Sequence, residues 1–530
     1  MQYSYDPAYS SRRSPVFGRN IVSTSQPLAA QAGLSMLARG GNAVDAALAA
    51  AIALVVVEPT GTGLGSDAFC ILWDGDRLHG LNASGRAPQG WTPDRFAGRD
   101  AMPAQGWETV TVPGGVSAWV ELSRRFGRLE FAELFGPAID YAERGFHVTP
   151  VIAEVWRRGA EQLQGEPGFA EAFMPQGRAP RAGELFACAP LARSLRLIAE
   201  SRGEAFYRGE LAERTADFAR SHGAALTADD LAAHTPEWCG TISQGFGDCE
   251  LHEIPPNGQG IAALMALGIL DRLDIGALHP DSVDALHLQI EAMKLAIADL
   301  HAYVADADFM GEVSAADLLS PAYLDSRAGL LDRGRAQDYG PGTPAGTDTV
   351  YLSAADEAGM MVSFIQSNFM GFGSGVVVPE TGISLHNRGS AFSLASGHPN
   401  EVGAGKRPFH TIIPGFLMRN GAPLMSFGVM GAAMQAQGHV QMVLRTQCWH
   451  QDPQTAVDAP RWRVMGGREV VLERTLSSDI RNKLIGRGHE IVPQTDDLTF
   501  GLGGAQLVTR IDGGYVAGSD PRKDGQAVAV

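Results

Sequence analysis

A chain of 530 residues with 45% hydrophobic residues, 19% charged residues and 64 glycines has the composition of a folded enzyme and not of a disordered protein. Its length allows about two to four structural units or one large layered domain. A formal charge of −17 with no compensating basic block excludes a nucleic-acid or anionic-membrane surface, so small molecules are the expected partners.

The first twenty residues carry two adjacent arginines but no apolar stretch behind them, which is unlike a signal peptide. "QPLAAQAGLSMLARGGNAVDAALAAAIALVVVEP" predicts two helices joined at Gly40-Gly41. The second helix is apolar nearly all round, so it is expected to be buried, and it is too short to span a bilayer. "GTGLGSD" (61–67) superficially resembles a phosphate-cradling loop, but its spacing fits a tight turn into the next strand better. "FCILWDGDRLHGLNA" predicts a hairpin turning at Asp74-Gly75. From Gly115 to about Leu331 helical patterns dominate, Trp107 and Trp119 read as core, and 333–348, with two prolines and four glycines, reads as an exposed linker. Strands follow: "TVYLSAAD", "MMVSFIQS", "TIIPGFLMRNGAPLMSFGVM", "EVVLE" and "GAQLVTRIDGGYVAGS". Strands drawn from both halves, with helices outside them, predict a layered α/β fold.

The five cysteines (Cys70, Cys188, Cys239, Cys249, Cys448) are scattered, which suits reduced thiols and a cytoplasmic setting. No zinc, HExxH or calcium-loop spacing is visible, so no metal and no cofactor are expected.

The hairpin "TVYLSAAD-EAG-MMVSFIQS" places its first residue, Thr349, at the end of the linker. A three-residue loop pairs Thr349 with Ser367; a two-residue loop would pair it with Gln366. Opposed hydroxyls at a strand start suit an N-terminal nucleophile, because a free α-amine ordinarily titrates at about 7.7–8.0 and can serve as base for its own hydroxyl. Pairs of Thr and Ser across strands are also ordinary structural features.

The segment from "TVYLSAADEAGMMVSFIQSNFMGFGSGVVVPETGISLHN" resembles the start of the small subunit in the gamma-glutamyltranspeptidase family of N-terminal-nucleophile hydrolases. "IVSTSQPLAAQAGLSMLARGGNAVDAALAAAIALVVVEPTGTGLGSDAF" resembles that family's large-subunit N-terminus, and "TVPGGVSAWVEL", "IPPNGQG", "GKRPFHTIIP", "FGVMGAA" and "GSDPRKDG" keep the order of its motifs. The resemblance implies a four-layer αββα sandwich built from both subunits, and a proenzyme that cuts itself between Asp348 and Thr349. The products would be a helix-rich large subunit (1–348) and a catalytic small subunit (349–530), held as a heterodimer or a dimer of heterodimers. Thr349 would then form an acyl-enzyme with a gamma-glutamyl or related carboxylate-bearing amide, resolved by water or an amine. The alternative is an uncleaved, catalytically silent homologue that binds a small molecule in the same cleft.

By the same resemblance Ser367 matches a second hydroxyl residue near the nucleophile, and Gly431 and Ala432 match the pair whose N–H groups form the oxyanion hole. The substrate-facing matches are Arg86, Asn387, Arg388, His410 and Thr411, and here the chain departs from the family pattern. Ala391 stands where an acidic residue holds a donor's α-ammonium, Arg388 where glutamine is usual, His410-Thr411 where paired serines stand, and Arg86 is displaced by two positions. An anion lost and a cation gained favour a carboxylate over an ammonium. Arg388 either contacts substrate or holds neighbouring loops, and His410 lines the site without serving as base.

Overall fold

The computed structural model describes residues 12–339, 349–494 and 501–530. Two antiparallel seven-stranded sheets lie face to face between two layers of helices. One sheet runs Gln526–Ala529, Ile21–Thr24, Val350–Ala355, Met361–Ser367, Asp67–Trp73, Leu78–Asn82 and Glu237–Trp238. The hairpin that follows the linker is thus threaded between strands from the first seventy-odd residues. The other sheet runs Val16–Gly18, Gly514–Ser519, Gly504–Ile511, Ala422–Met430, Gly415–Arg419, Cys249–Glu253 and Ile242–Phe246.

Alternation along the strands sorts the side chains into layers. Tyr351, Ala355, Met361 and Ile365 point into the space between the sheets, where they meet Phe416, Met430 and Val508. Val350, Leu352, Ala354, Val362 and Phe364 point outward onto the helix Ala43–Val57, every residue of which is buried. That helix is held at its start by a capping box between Asn42 and Asp45. The second sheet is backed by the helices Gly260–Asp271, Val283–Tyr303 and Met434–Val443. No helix among the described residues is long and apolar enough to cross a membrane.

The hairpins at Asp74-Gly75 and Asn420-Gly421 close as their sequences require, with Gly75 at φ +105° and the Asn-Gly pair at φ +51° and +75°. The stretch expected to be helical also holds a hairpin, Ile242–Phe246 with Cys249–Glu253, that periodicity missed. Cys249–Glu253 alternates in burial but turns the polar Glu253 inward, Ile242–Phe246 shows no alternation, and the turn signal Gly247-Asp248 has no strong β run on its first side. The described part of the linker, 333–339, contains neither helix nor strand.

Candidate active site

Thr349 immediately precedes the strand Val350–Ala355, and the strand's register decides what faces it. Val350 pairs with Gln366 and Ala355 with Met361, a three-residue loop Glu357-Ala358-Gly359 whose glycine takes φ +97°. One step further out the two hydroxyls meet: Thr349 Oγ1 lies 3.2 Å from Ser367 Oγ. Both residues are buried and lie on the inter-sheet face with Tyr351 and Ser363. Ser367 Oγ also accepts the Phe369 N–H at 2.8 Å, so its own proton can be directed at Thr349. Asp348, the other side of the expected cut, lies outside the described residues.

The helix Met434–Val443 supplies a third partner that periodicity and motif order do not reveal. Gln435 Nε2 donates to Thr349 Oγ1 (3.2 Å) while its Oε1 accepts the Ile413 N–H (3.0 Å), so the amide is fixed at both ends. Gln435, Gln437, His439 and Gln441 are all buried on this helix. A run of uncharged polar residues inside an apolar core was the available signal. If Thr349 is the nucleophile, replacing Gln435 with leucine, which removes a donor to its oxygen, should lower kcat about tenfold to hundredfold and leave KM nearly unchanged. Steady-state kinetics that show a KM effect alone would contradict this positioning role.

The glycines of "GTGLGSD" let the preceding loop pass beneath the nucleophile strand. A Cβ on Gly61 would sit 2.9 Å from Val350 Cγ1, and one on Gly65 would sit 2.4 Å from the Ser384 carbonyl oxygen. The motif is therefore a close-packing device and brings Asp67 into the interior.

Gly431 (φ +123°) and Ala432 (φ +49°) form the turn between the strand Ala422–Met430 and the helix carrying Gln435. A left-handed alanine costs about 1 kcal/mol or more over glycine, a strain typical of functional turns. Gln259, from "IPPNGQG", braces this turn by donating to the carbonyls of Ala432 (2.7 Å) and Thr411.

Thr411, Ala432, Ala433 and Phe369 wall a cavity of about 620 Å³ that also takes in Ser390, Ala391, Leu300, Val304, Phe392 and Phe409. Ala391 thus stands at the cavity, and the only carboxylate among its lining residues is the exposed Asp100.

Behind this wall lies a fully buried charged cluster. Arg388 Nη1 donates to Thr411 Oγ1 (2.8 Å), and the guanidinium stacks 4.2 Å over the Phe369 ring, itself at φ +79°. Among the described residues Arg388 Nε and Nη2 have no hydrogen-bond partner. Its counter-charge is Asp67, whose Oδ1 accepts the Gly85 and Gly114 N–H groups (3.0 and 3.1 Å) and whose Oδ2 lies 3.1 Å from His410 Nε2. Burial pushes Asp67 up to about 7 against the opposing pull of Arg388, and burial lowers Arg388 to about 9. His386 Nε2 lies 3.8 Å from Asp67 Oδ1, and burial with the Arg388 charge lowers its pKa to about 3. The same causes hold His410 well below its ordinary value, so both imidazoles are neutral at pH 7. His410 accepts the Ile412 N–H at Nδ1, which fixes its proton on Nε2, toward Asp67. It has no free face for a base.

Two expected substrate residues are not brought to the cavity. Asn387 spends its side chain on loops, accepting the Met370 N–H (3.1 Å) and donating to the Ala104 carbonyl (2.7 Å). Arg86 pairs with Asp306 (3.2 Å) and the Gly405 carbonyl (3.0 Å), and opens on a separate depression with Arg407, His234 and Glu237.

Among the described residues one group, His287, Glu291 and His489, could in principle gather around a metal ion. Most of its atoms are committed to each other and to the chain at the start of the linker: His287 lies 2.8 Å from His489 and from the Asp332 carbonyl, and Glu291 accepts from Lys294 (2.8 Å) and the Gln337 N–H (2.9 Å). It ties 332–337 to the helix Val283–Tyr303.

The terminal "GSDPRKDG" is structural as well. Asp520 accepts the Ala505 N–H at 2.7 Å and pairs with buried Arg461 and with Arg522.

Comparison with known proteins agrees with this architecture. The chain is 35% identical to the glutathione hydrolase-like YwrD proenzyme of Bacillus subtilis, over 98% of this chain and all of that one. It is 36% identical to the oxamate amidohydrolase proenzyme of Klebsiella pneumoniae, over 94% and 96% of the two chains. In three dimensions it matches a cephalosporin acylase from Bacillus halodurans with a TM-score of 0.94 and 46% identity, covering 100% of this chain and 99% of that one. Its sheets and helices are those of the N-terminal-nucleophile hydrolases, and residues 29–530 match the gamma-glutamyltranspeptidase family model. The chain belongs to the gamma-glutamyltranspeptidase family.

Proposed function

We propose that the protein is an autoprocessing amidohydrolase that cuts itself between Asp348 and Thr349 and then uses Thr349 to take an acyl group from a carboxylate-bearing amide. The observation that carries this reading is the buried hydroxyl pair of Thr349 and Ser367, 3.2 Å apart, at the first residue after the linker. Before cleavage the Thr349 hydroxyl attacks the preceding carbonyl; an N-to-O acyl shift and ester hydrolysis release its amine. In turnover that amine takes the hydroxyl proton, Ser367 and Gln435 orient the oxygen, and the N–H groups of Gly431 and Ala432 receive the oxyanion. Preorganised donors of this kind are typically worth about 3–4 kcal/mol in the transition state. Water or an acceptor amine resolves the acyl-enzyme.

The acyl group is one with a terminal carboxylate and no α-ammonium. Ala391 puts no anion where the family pattern has one, the only carboxylate among the cavity's lining residues is the exposed Asp100, and Arg388, beneath Thr411 and Phe369, supplies a cation with two uncommitted donors. Large-subunit residues around Asp67 and small-subunit residues around Arg388 would build this end of the site together. A panel of gamma-glutamyl, glutaryl and oxamate-type amides assayed with purified cleaved protein tests the reading. The glutaryl or oxamate type should be preferred, and efficient glutathione turnover at micromolar KM would refute it.

A further inference from the structure

Asp67 has no part in the hydroxyl chemistry, yet among the described residues it is the only carboxylate in the buried cluster around Arg388. We propose that Asp67 is the proton-accepting partner of the acyl-binding arginine, so that seating a substrate carboxylate on Arg388 is coupled to the uptake of one proton by the Asp67–His410 pair. This rests on the reading of Arg388 as the receptor for the acyl carboxylate.

The site is closed to water, so charge must balance within it. Asp67, Arg388, His386 and His410 all have zero solvent exposure. With both imidazoles neutral, an ionised Asp67 and a charged Arg388 form a balanced pair. An arriving carboxylate, which must turn the Phe369 ring aside to reach Nε and Nη2, would leave two anions around one guanidinium. Two carboxylates sharing a water-free site do not both stay ionised, and one takes a proton. The substrate's acid is an ordinary carboxyl with a pKa near 4.3, whereas Asp67 already sits at about 7, so Asp67 takes it. The proton enters on Asp67 Oδ2, which keeps accepting the His410 Nε2–H across the 3.1 Å contact, because Oδ1 is taken up by the Gly85 and Gly114 N–H groups. The other charged or titratable groups facing Asp67 do not supply the proton. Arg407 acts on it from the loop before His410 and is paired with Glu237 at 2.7 Å. The Tyr207 phenol is raised by burial and stays neutral, and His386 is held neutral.

The consequence is a preference for anionic acyl groups that depends on pH. Below the Asp67 pKa its carboxyl is already protonated and Arg388 is open to an anion. Above it, each pH unit costs a factor of ten in seating the carboxylate. The test compares kcat/KM for glutaryl p-nitroanilide with that for pentanoyl p-nitroanilide, a neutral acyl group of the same length, between about pH 6 and 8. Titration of the Thr349 amine affects both substrates alike and cancels in the ratio. The ratio should be flat up to about pH 7 and then fall about tenfold per unit; in Asp67→Asn it should stay flat at its high value. A wild-type ratio that favours glutaryl equally at every pH, or an Asp67→Asn profile that follows the wild type, overturns the coupling and leaves the arginine reading standing. No glutaryl preference at any pH overturns both.

Discussion

Thr349→Ala is expected to leave one uncut chain of 530 residues with no amidase activity, where the wild-type protein is expected to resolve into fragments of 348 and 182 residues by intact-mass measurement. The effect should be complete because in the proposed reaction one atom serves twice. Thr349 Oγ1 would attack the preceding carbonyl in processing and the acyl carbonyl in turnover, and no other residue would gain a free amine beside its hydroxyl from the same cut. The substitution removes the contacts to Ser367 and Gln435, at a cost of about 1 kcal/mol for each neutral hydrogen bond. The buried strand Val350–Ala355 keeps its pairing with strands on both sides, so the variant should unfold only slightly earlier than the wild type. A Thr349→Ala protein that still divides after residue 348 would show that another group makes the cut. A wild-type protein that remains a single chain would support instead a silent binding homologue.

The second large effect falls on substrate choice. Arg388→Gln should reduce the ratio of kcat/KM for glutaryl over pentanoyl amides about tenfold to hundredfold, the worth of one or two hydrogen bonds to a charged group. It should also lower stability, most at higher pH, because Asp67 loses its counter-charge and must take a proton to stay buried. These two consequences can be separated. The double variant Arg388→Gln, Asp67→Asn removes both charges and should recover most of the lost thermal stability while the glutaryl preference stays lost. If the preference survives in Arg388→Gln, the acyl carboxylate is read by another residue, and Arg388 serves only to hold Thr411 and Phe369 together.

How much of this was legible in the sequence depends on the range of the interaction concerned. The hairpin from Thr349 to Ser367 is local: alternating β-rich runs and a loop ending in glycine set its register, and the register alone made the two hydroxyls neighbours. The order of motifs likewise placed the chain in its family and so in a four-layer fold. The hairpin at 242–253 was hidden because its first strand carries no alternation and its second is five residues long with a glutamate among its inward positions.

The acyl end of the site was only half visible. Arg388 and Ala391 stood out as departures from the family pattern, but nothing near them in sequence names their partner. Asp67 lies 343 residues from His410, and its role depends on a glycine-lined turn that carries it inside. Arg86 illustrates the converse: its residue type and neighbourhood suggested the cavity, and the ion pair with Asp306 holds it at another depression. Gln435 is one glutamine among several until packing aims its amide at Thr349. Sequence by itself determined the hairpin that sets Thr349 beside Ser367, because hydrogen-bond register and side-chain alternation are properties of adjacent residues, and its motif order made Thr349 the candidate nucleophile. Only the tertiary structure decided which charges face one another in the core, because desolvation is set by every layer packed around a group and by none of its neighbours in the chain.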